Sequence, residues 1–81
     1  MKNFPWYEFY VRFVIRYEEF VFYYSDKKID ISTGGYKGQV YLSYGNEKEG
    51  FILKDYASPT EFLNDKIFDN KTIQEIWEDL N

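Results

Sequence analysis

The sequence predicts an α+β domain in which a four- to five-stranded, meander-like antiparallel sheet precedes two short C-terminal helices packed on one face. Three observations lead to this fold class. Apolar and polar residues alternate at 28–32 and again at 39–44, glycine and polar residues separate the alternating segments, and two helix-capping motifs follow after residue 57. At 81 residues the chain is long enough for one small domain with a thin core, so we treat 1–81 as a single domain.

The first long segment, "YEFYVRFVIRY" at 7–17, fits two kinds of secondary structure. Every odd position is apolar, as a half-buried strand requires. A helix would instead carry one polar stripe, formed by residues at spacings of four, four and three: Glu8, Arg12, Arg16 and Glu19. The segment is rich in aromatic and β-branched residues and has no Ala, Leu or Met, which favours a strand. A bent strand or a helix both stay open for residues 5–24.

The alternation changes phase at Glu18-Glu19, which predicts a bulge or a sharp bend there. "SDKK" at 25–28 then predicts a turn, and "KIDIS" predicts a strand with Ile29 and Ile31 facing inward. "QVYLSY" predicts a second such strand, "GNEKEG" at 45–50 a hairpin loop, and "FILKDY" the last strand. The connection between the first two of these strands, "STGGYKGQV", contains three of the five glycines.

Two capping boxes predict the helices. "SPTE" at 58–61 places Pro59 at the first helical position and predicts a helix over about 59–68. "TIQE" at 72–75 predicts a second helix, whose apolar residues fall at i, i+3, i+4 and i+7: Ile73, Ile76, Trp77 and Leu80. We expect this stripe to be buried, and Trp77 most firmly of all.

The composition excludes several chemistries. The chain has no cysteine and no histidine, so a disulfide, a Cys/His zinc site and a histidine base are impossible. The acidic positions after Asp65 do not follow a calcium-loop pattern, and no serine or threonine has a base partner in a recognisable motif. We therefore predict neither an enzyme nor a cofactor or metal site. With no long apolar segment and no signal-peptide pattern, we expect a cytoplasmic protein without a membrane partner.

The glycine-rich connection does not predict a phosphate site. Its lysine is not followed by Ser or Thr, and a strand rather than a helix comes after it. A turn is the simpler interpretation, in which the glycines adopt positive φ. The functional hypothesis that survives is a loop that presents Tyr36 and Lys37 to a partner.

Charge and aromatic content both predict contact with another protein. Residues 1–54 carry eight basic and seven acidic side chains, a net charge of +1, whereas 55–81 carry two basic and seven acidic ones, a net charge of −5. Nineteen aromatic residues exceed what so thin a core can bury, which leaves some for an interface. The first candidates for protein binding are the residues of an acidic helical face: Glu61, Asp65, Glu75, Glu78 and Asp79. The second candidates are Tyr36 and Lys37 in the glycine-rich connection.

The leading functional hypothesis is a non-enzymatic protein-binding module that inhibits or regulates an unknown partner protein, for instance by occupying a basic nucleic-acid-binding groove. In size, charge and composition the chain is similar to small inhibitors carried by phages and mobile elements, such as anti-CRISPR or anti-restriction proteins. The similarity is one of class and assigns no residue a role. The alternatives are a homodimer formed through exposed strand aromatics and a nucleic-acid-binding sheet, the latter disfavoured by the net charge of −4. The sequence leaves monomer and homodimer open.

Overall fold

The computed structural model describes residues 1, 3–34 and 38–81. The chain begins with helix α1 (Trp6–Tyr10), which continues directly into a π-helical segment (Val11–Ile15). Four strands, a short helix and a single 3₁₀ turn follow: β1 (Phe20–Tyr24), β2 (Lys27–Thr33), β3 (Val40–Asn46), β4 (Gly50–Tyr56), α2 (Pro59–Asn64) and the 3₁₀ helix (Trp77–Asp79).

The four strands form one antiparallel sheet in the order β1-β2-β3-β4, so each strand pairs with its neighbour in sequence. The registers align the predicted inward positions, with Ile29 opposite Tyr44 and Ile31 opposite Leu42. The hairpin between β3 and β4 requires glycine at position 45, where φ is +152° and a Cβ would collide with the carbonyl oxygen of Gly50. The sequence-based prediction of an α+β fold with a meander sheet is confirmed.

One face of the sheet carries the hydrophobic core, and the helical segments cover it. The sheet contributes seven buried side chains: Phe22, Ile29, Ile31, Val40, Leu42, Tyr44 and Tyr56. The covering segments contribute eight more: Phe9, Phe13, Phe62, Phe68, Ile73, Ile76, Trp77 and Leu80. The predicted stripe in the last segment is therefore buried, and Trp77 is only 3% exposed.

The preference for a strand at 7–17 is wrong, because this segment is helical. Phe9 and Phe13 are fully buried, and their rings stack with 5.2 Å between centroids. Burying one face of a helix against the sheet outweighs the β propensity of the aromatic and β-branched residues. Tyr17, at φ +57°, ends the helical segment, and the N–H of Glu18 donates to the carbonyl oxygen of Arg12. The phase change at Glu18-Glu19 thus marks the end of a helix and not a bulge between strands.

The two later helices are shorter than the sequence predicts. Helix α2 stops at Asn64 instead of residue 68, because Asp65 turns to an extended conformation. Beyond it, Asp69 and Asn70 both adopt positive φ and close a tight turn in which Phe68 and Lys71 exchange backbone hydrogen bonds. The Thr72 capping box forms, but it opens a series of turns that ends in the 3₁₀ helix and not in an α-helix.

Candidate protein-binding interface

The first edge of the sheet, at β1, is paired at its C-terminal end by residues 80 and 81. The N–H of Tyr23 donates to the carbonyl oxygen of Asn81, and the N–H of Asn81 donates back to the carbonyl oxygen of Tyr23, both at 2.9 Å. Leu80 forms a β-bridge with Tyr24 and is itself buried. The outward backbone groups at this position are therefore paired within the chain, as stable sheet edges require.

The opposite edge, at β4, is open. Among residues 1, 3–34 and 38–81, no strand pairs with the outer side of β4. Three consecutive apolar residues of this strand are exposed: Phe51 by 49%, Ile52 by 50% and Leu53 by 77%. An unpaired strand edge with apolar side chains is a template for pairing with another chain.

The apolar residues of β4 face both sides of the sheet. Ile52 is opposite the buried Tyr44 and so lies on the core side, whereas Leu53 is opposite Ser43 and lies on the outer side with Phe51. Strands that are apolar on both sides are typical of sheets whose two faces are covered. The outer-face residues Phe51 and Leu53 of β4 have no such cover among the described residues, and both are exposed.

A polar cluster fixes the far end of β4 against α2. The carboxylate of Asp65 accepts a hydrogen bond from Lys54 Nζ at 2.6 Å and another from the hydroxyl of Tyr56 at 2.7 Å. The bond from Lys54, followed by that from Tyr56, lowers the pKa of Asp65, while burial and the bond to Asp65 raise the pKa of Tyr56. Both partners of Asp65 lie in its own chain, so this predicted binding residue has a structural role.

Two exposed carboxylates lie beside this cluster. Asp55 at the end of β4 and Glu61 in the first turn of α2 line one shallow depression together with the Lys54–Asp65 pair. Three carboxylates and one ammonium group meet there, which leaves a net charge of −2. Glu61 is thus the member of the predicted acidic face that remains available next to β4.

The other three predicted carboxylates lie on the last segment of the chain. Glu75 completes the capping box, in which its carboxylate accepts from the N–H of Thr72 at 2.9 Å and the bond lowers its pKa. Glu78 is 3.9 Å from the ammonium group of Met1. Asp79 is close enough to Tyr24 of β1 to contribute to its raised pKa, behind burial and Asp69.

The predicted acidic face is therefore divided between the two edges of the sheet. Glu61 and Asp65 belong to the β4 edge. Glu78 and Asp79 directly precede Leu80, which forms a β-bridge to β1. Tyr36 and Lys37, the predicted loop pair, lie outside the described residues. The strands on either side of that loop, β2 and β3, pair as predicted.

The segment "FILKDY" is a strand, as predicted, but its open edge was not predicted. The unbroken apolar run at 51–53 does not by itself identify that edge, because β1 carries a similar run, "FVFYY" at 20–24. In a meander the last strand is an edge by default, and an edge strand with one buried face needs apolar residues only at alternate positions. A run of three is therefore in excess of what the core requires.

Neither a metal site nor a bilayer-spanning helix is found in the part of the chain that the structure describes. No protein-family model, curated protein or solved structure matches the chain.

Proposed function

We propose that this protein is a protein-binding module that accepts an extended segment of a partner onto β4 as a fifth strand. The observation that carries the proposal is the contrast in backbone pairing, since β1 is paired at its C-terminal end by Leu80 and Asn81 while β4 has no partner strand on its outer side among the described residues. Both edge strands expose apolar side chains, and Leu53 of β4 is the most exposed of them. In strand addition, main-chain hydrogen bonds supply affinity and side chains on alternate faces supply selectivity.

The proposed mode of binding has a clear energetic source. Each of the three apolar side chains at 51–53 is about half exposed or more, and burying the exposed part contributes about 1 kcal/mol per residue. The added strand also pairs the outward N–H and C=O groups of β4. A module of this kind acts by occupying a surface, which is the mode of action that we expect of a small inhibitor or regulator.

The outer face of the sheet gives less support to nucleic-acid binding. Its described strand residues include Tyr23 and Tyr41, which offer rings for stacking, but the charged ones are a single lysine and two aspartates: Lys28, Asp30 and Asp55. Binding to a phosphate backbone depends on basic side chains. The net charge of −1 on this face opposes such a function.

A displayed library of random peptides, selected on the immobilised protein, tests the proposal. We expect selected peptides to slow hydrogen exchange at β4 amides. We also expect them to bind at least tenfold more weakly to a Phe51→Ser, Leu53→Ser double variant. Two versions of a selected peptide, methylated at the odd-numbered or at the even-numbered backbone nitrogens, extend this test. Only one version should lose binding, because the N–H groups of alternate residues face β4 and the others point away from it.

Tyr7→Ser is the matched control, since Tyr7 is an exposed aromatic residue on α1 and not on β4. It should leave peptide binding unchanged. Peptides whose binding ignores the double variant, or that protect another element from exchange, would refute strand addition at β4.

A further inference from the structure

Resting on the proposed function, we infer the chemistry and direction of the partner strand. It runs antiparallel to β4, its middle is apolar on both faces, and its N-terminal end carries lysine or arginine residues that lie over Asp55 and Glu61. The inference comes from the charges at the two ends of β4, from the residues between them and from the pairing of the existing sheet.

The end of β4 that meets α2 is acidic. Asp55 and Glu61 are both exposed, and the third carboxylate, Asp65, is already paired with Lys54. On the outer face, Asp30 lines a second shallow depression together with Leu53 and Asp55. A strand that lies along this end meets uncompensated negative charge from both sides of the sheet.

The other end of β4, at the hairpin, has no excess of negative charge. Glu49 lies 3.8 Å from Lys27 and also accepts from the Asn46 amide, while Glu47 is followed by Lys48 in the loop. On the outer face, Lys28 is opposite Gly45, which is opposite Phe51, so three ammonium groups and two carboxylates give this end a net charge of +1. Asp26 and Asp69 line a depression that includes no residue of β4. The edge therefore has one acidic end, one weakly basic end and an apolar middle.

This asymmetry gives the partner a direction. The described pairings within the sheet are antiparallel, and antiparallel pairs are slightly more stable per residue than parallel ones. In an antiparallel partner the N-terminal end lies at the C-terminal end of β4, next to Asp55 and Glu61. Basic residues at that end, before an apolar run, complete the charge complementarity.

The same charges give a second copy of this chain a weaker fit as the occupant. An antiparallel β4–β4 pair places the Asp55 end of each copy against the hairpin end of the other. The hairpin end, with Lys27 and Lys28 of β2 included, has a net charge of +1, which compensates only half of the net charge of −2 at the acidic end. A partner with a basic end fits better than this chain fits itself.

Three synthetic peptides test the inference. They share a six-residue core of valine and isoleucine, are acetylated and amidated at their ends, and carry two lysines before the core, two lysines after it, or two glutamates before it. We expect the first to bind about tenfold more tightly than the third and several-fold more tightly than the second, with both differences shrinking as salt is raised.

Charge-reversal variants of the protein test whether Asp55 and Glu61 cause the preference for a basic N-terminal end. Asp55→Lys with Glu61→Lys should transfer the preference to the glutamate peptide. Glu78→Lys with Asp79→Lys, the matched charge change beside β1, should leave the order of affinities unchanged. Tighter binding of the peptide with lysines after its core would overturn the antiparallel direction.

The outcomes also distinguish this inference from the function on which it rests. If all three peptides bind equally and the Phe51→Ser, Leu53→Ser variant binds none, strand addition stands and the basic end is wrong. If none binds, or binding survives that variant, the proposed function itself is wrong. Light scattering that shows a dimer, lost in the same variant, would assign the edge to a second copy and overturn the basic-ended partner.

Discussion

The two edges of the sheet differ in their backbone pairing. At β1 the backbone groups of Tyr23 are paired by Asn81, and Leu80 is buried beside them. At β4 an unbroken apolar run remains exposed. Natural proteins usually protect an edge strand with charges, proline, a bulge or a covering segment, because an open edge promotes aggregation. The backbone pairing of one edge and not of the other is the contrast on which the proposal of strand addition at β4 rests.

The difference extends to the packing beneath each edge. Behind β1, Trp77 packs against Phe4, Trp6, Phe9 and Phe22 with ring centroids 4.9–5.8 Å apart. Behind β4, Lys54, Tyr56 and Asp65 form a polar cluster that leaves Ile52 half exposed. We therefore expect substitutions near β1 to change stability and substitutions on β4 to change association.

The largest effect is expected for Trp77→Ala. This substitution removes a buried indole, together with the hydrogen bond that its Nε1 donates to the carbonyl oxygen of Phe4 at 2.9 Å. We predict a loss of about 3–5 kcal/mol in the free energy of unfolding, measured by urea denaturation. Phe51→Ala on β4, which removes a half-exposed ring, should cost about 1 kcal/mol or less. Equal losses in the two variants would contradict the contrast between the edges.

The second-largest loss of stability is expected when Leu80 and Asn81 are deleted. The deletion removes a buried leucine and exposes the backbone groups of Tyr23, so we predict a loss of about 2–4 kcal/mol. It should also open the β1 edge, and light scattering should then show association that rises with concentration. Asn81→Ala keeps Leu80 and the backbone pairing, and its stability should stay within about 0.5 kcal/mol. A deletion variant as stable as the full chain would show that β1 needs no cover.

Sequence reasoning succeeded where local and tertiary signals agree. The period-two alternation in β2 and β3 correctly located Ile29, Ile31 and Leu42 in the core, since one face of each strand is covered. The Ser58 cap was also recognisable, and its hydroxyl accepts from the N–H of Glu61. These features depend on residues close together in the sequence.

The sequence-based predictions were wrong or incomplete where contacts between distant residues determine the structure. At 7–17 both periods were present, and only the burial of Phe9 and Phe13 against the rest of the core selects the helix. The pairing of the β1 backbone depends on a contact between residues 23 and 81, which no local sequence pattern predicts. Without it the two edges are equivalent in the sequence, so the open edge could not be separated from the paired one.

A smaller effect is expected for Asp65→Asn, which weakens the cluster behind β4. The bonds from Lys54 and Tyr56 lower the pKa of Asp65 in the folded state, so its contribution is fully present above the unfolded pKa of about 4. It is lost as pH falls through the lower folded pKa. We predict that the variant loses about 1–2 kcal/mol at pH 7 and varies less with pH below 4 than the wild type.

Glu61→Gln provides the comparison for Asp65→Asn, because the exposed side chain of Glu61 lies in the same depression. Its stability at pH 7 should stay within about 0.5 kcal/mol of the wild type. Denaturation curves recorded from pH 7 to pH 2 measure both variants. An Asp65→Asn curve parallel to that of the wild type would show that the cluster does not fix the end of β4.

The smallest effect on stability is expected for Leu53→Lys, and this substitution tests the open edge most directly. Leu53 is 77% exposed on the outer face of β4, so the lysine should change the free energy of unfolding by less than about 0.5 kcal/mol. In hydrogen exchange, the Tyr23 amide should be well protected, whereas alternate amides of β4 should exchange quickly in both proteins. A loss above about 1.5 kcal/mol, or slow exchange at every β4 amide in the wild type, would show that the edge is covered in solution. The contrast between the edges would then describe a single chain and not the protein as it exists in solution.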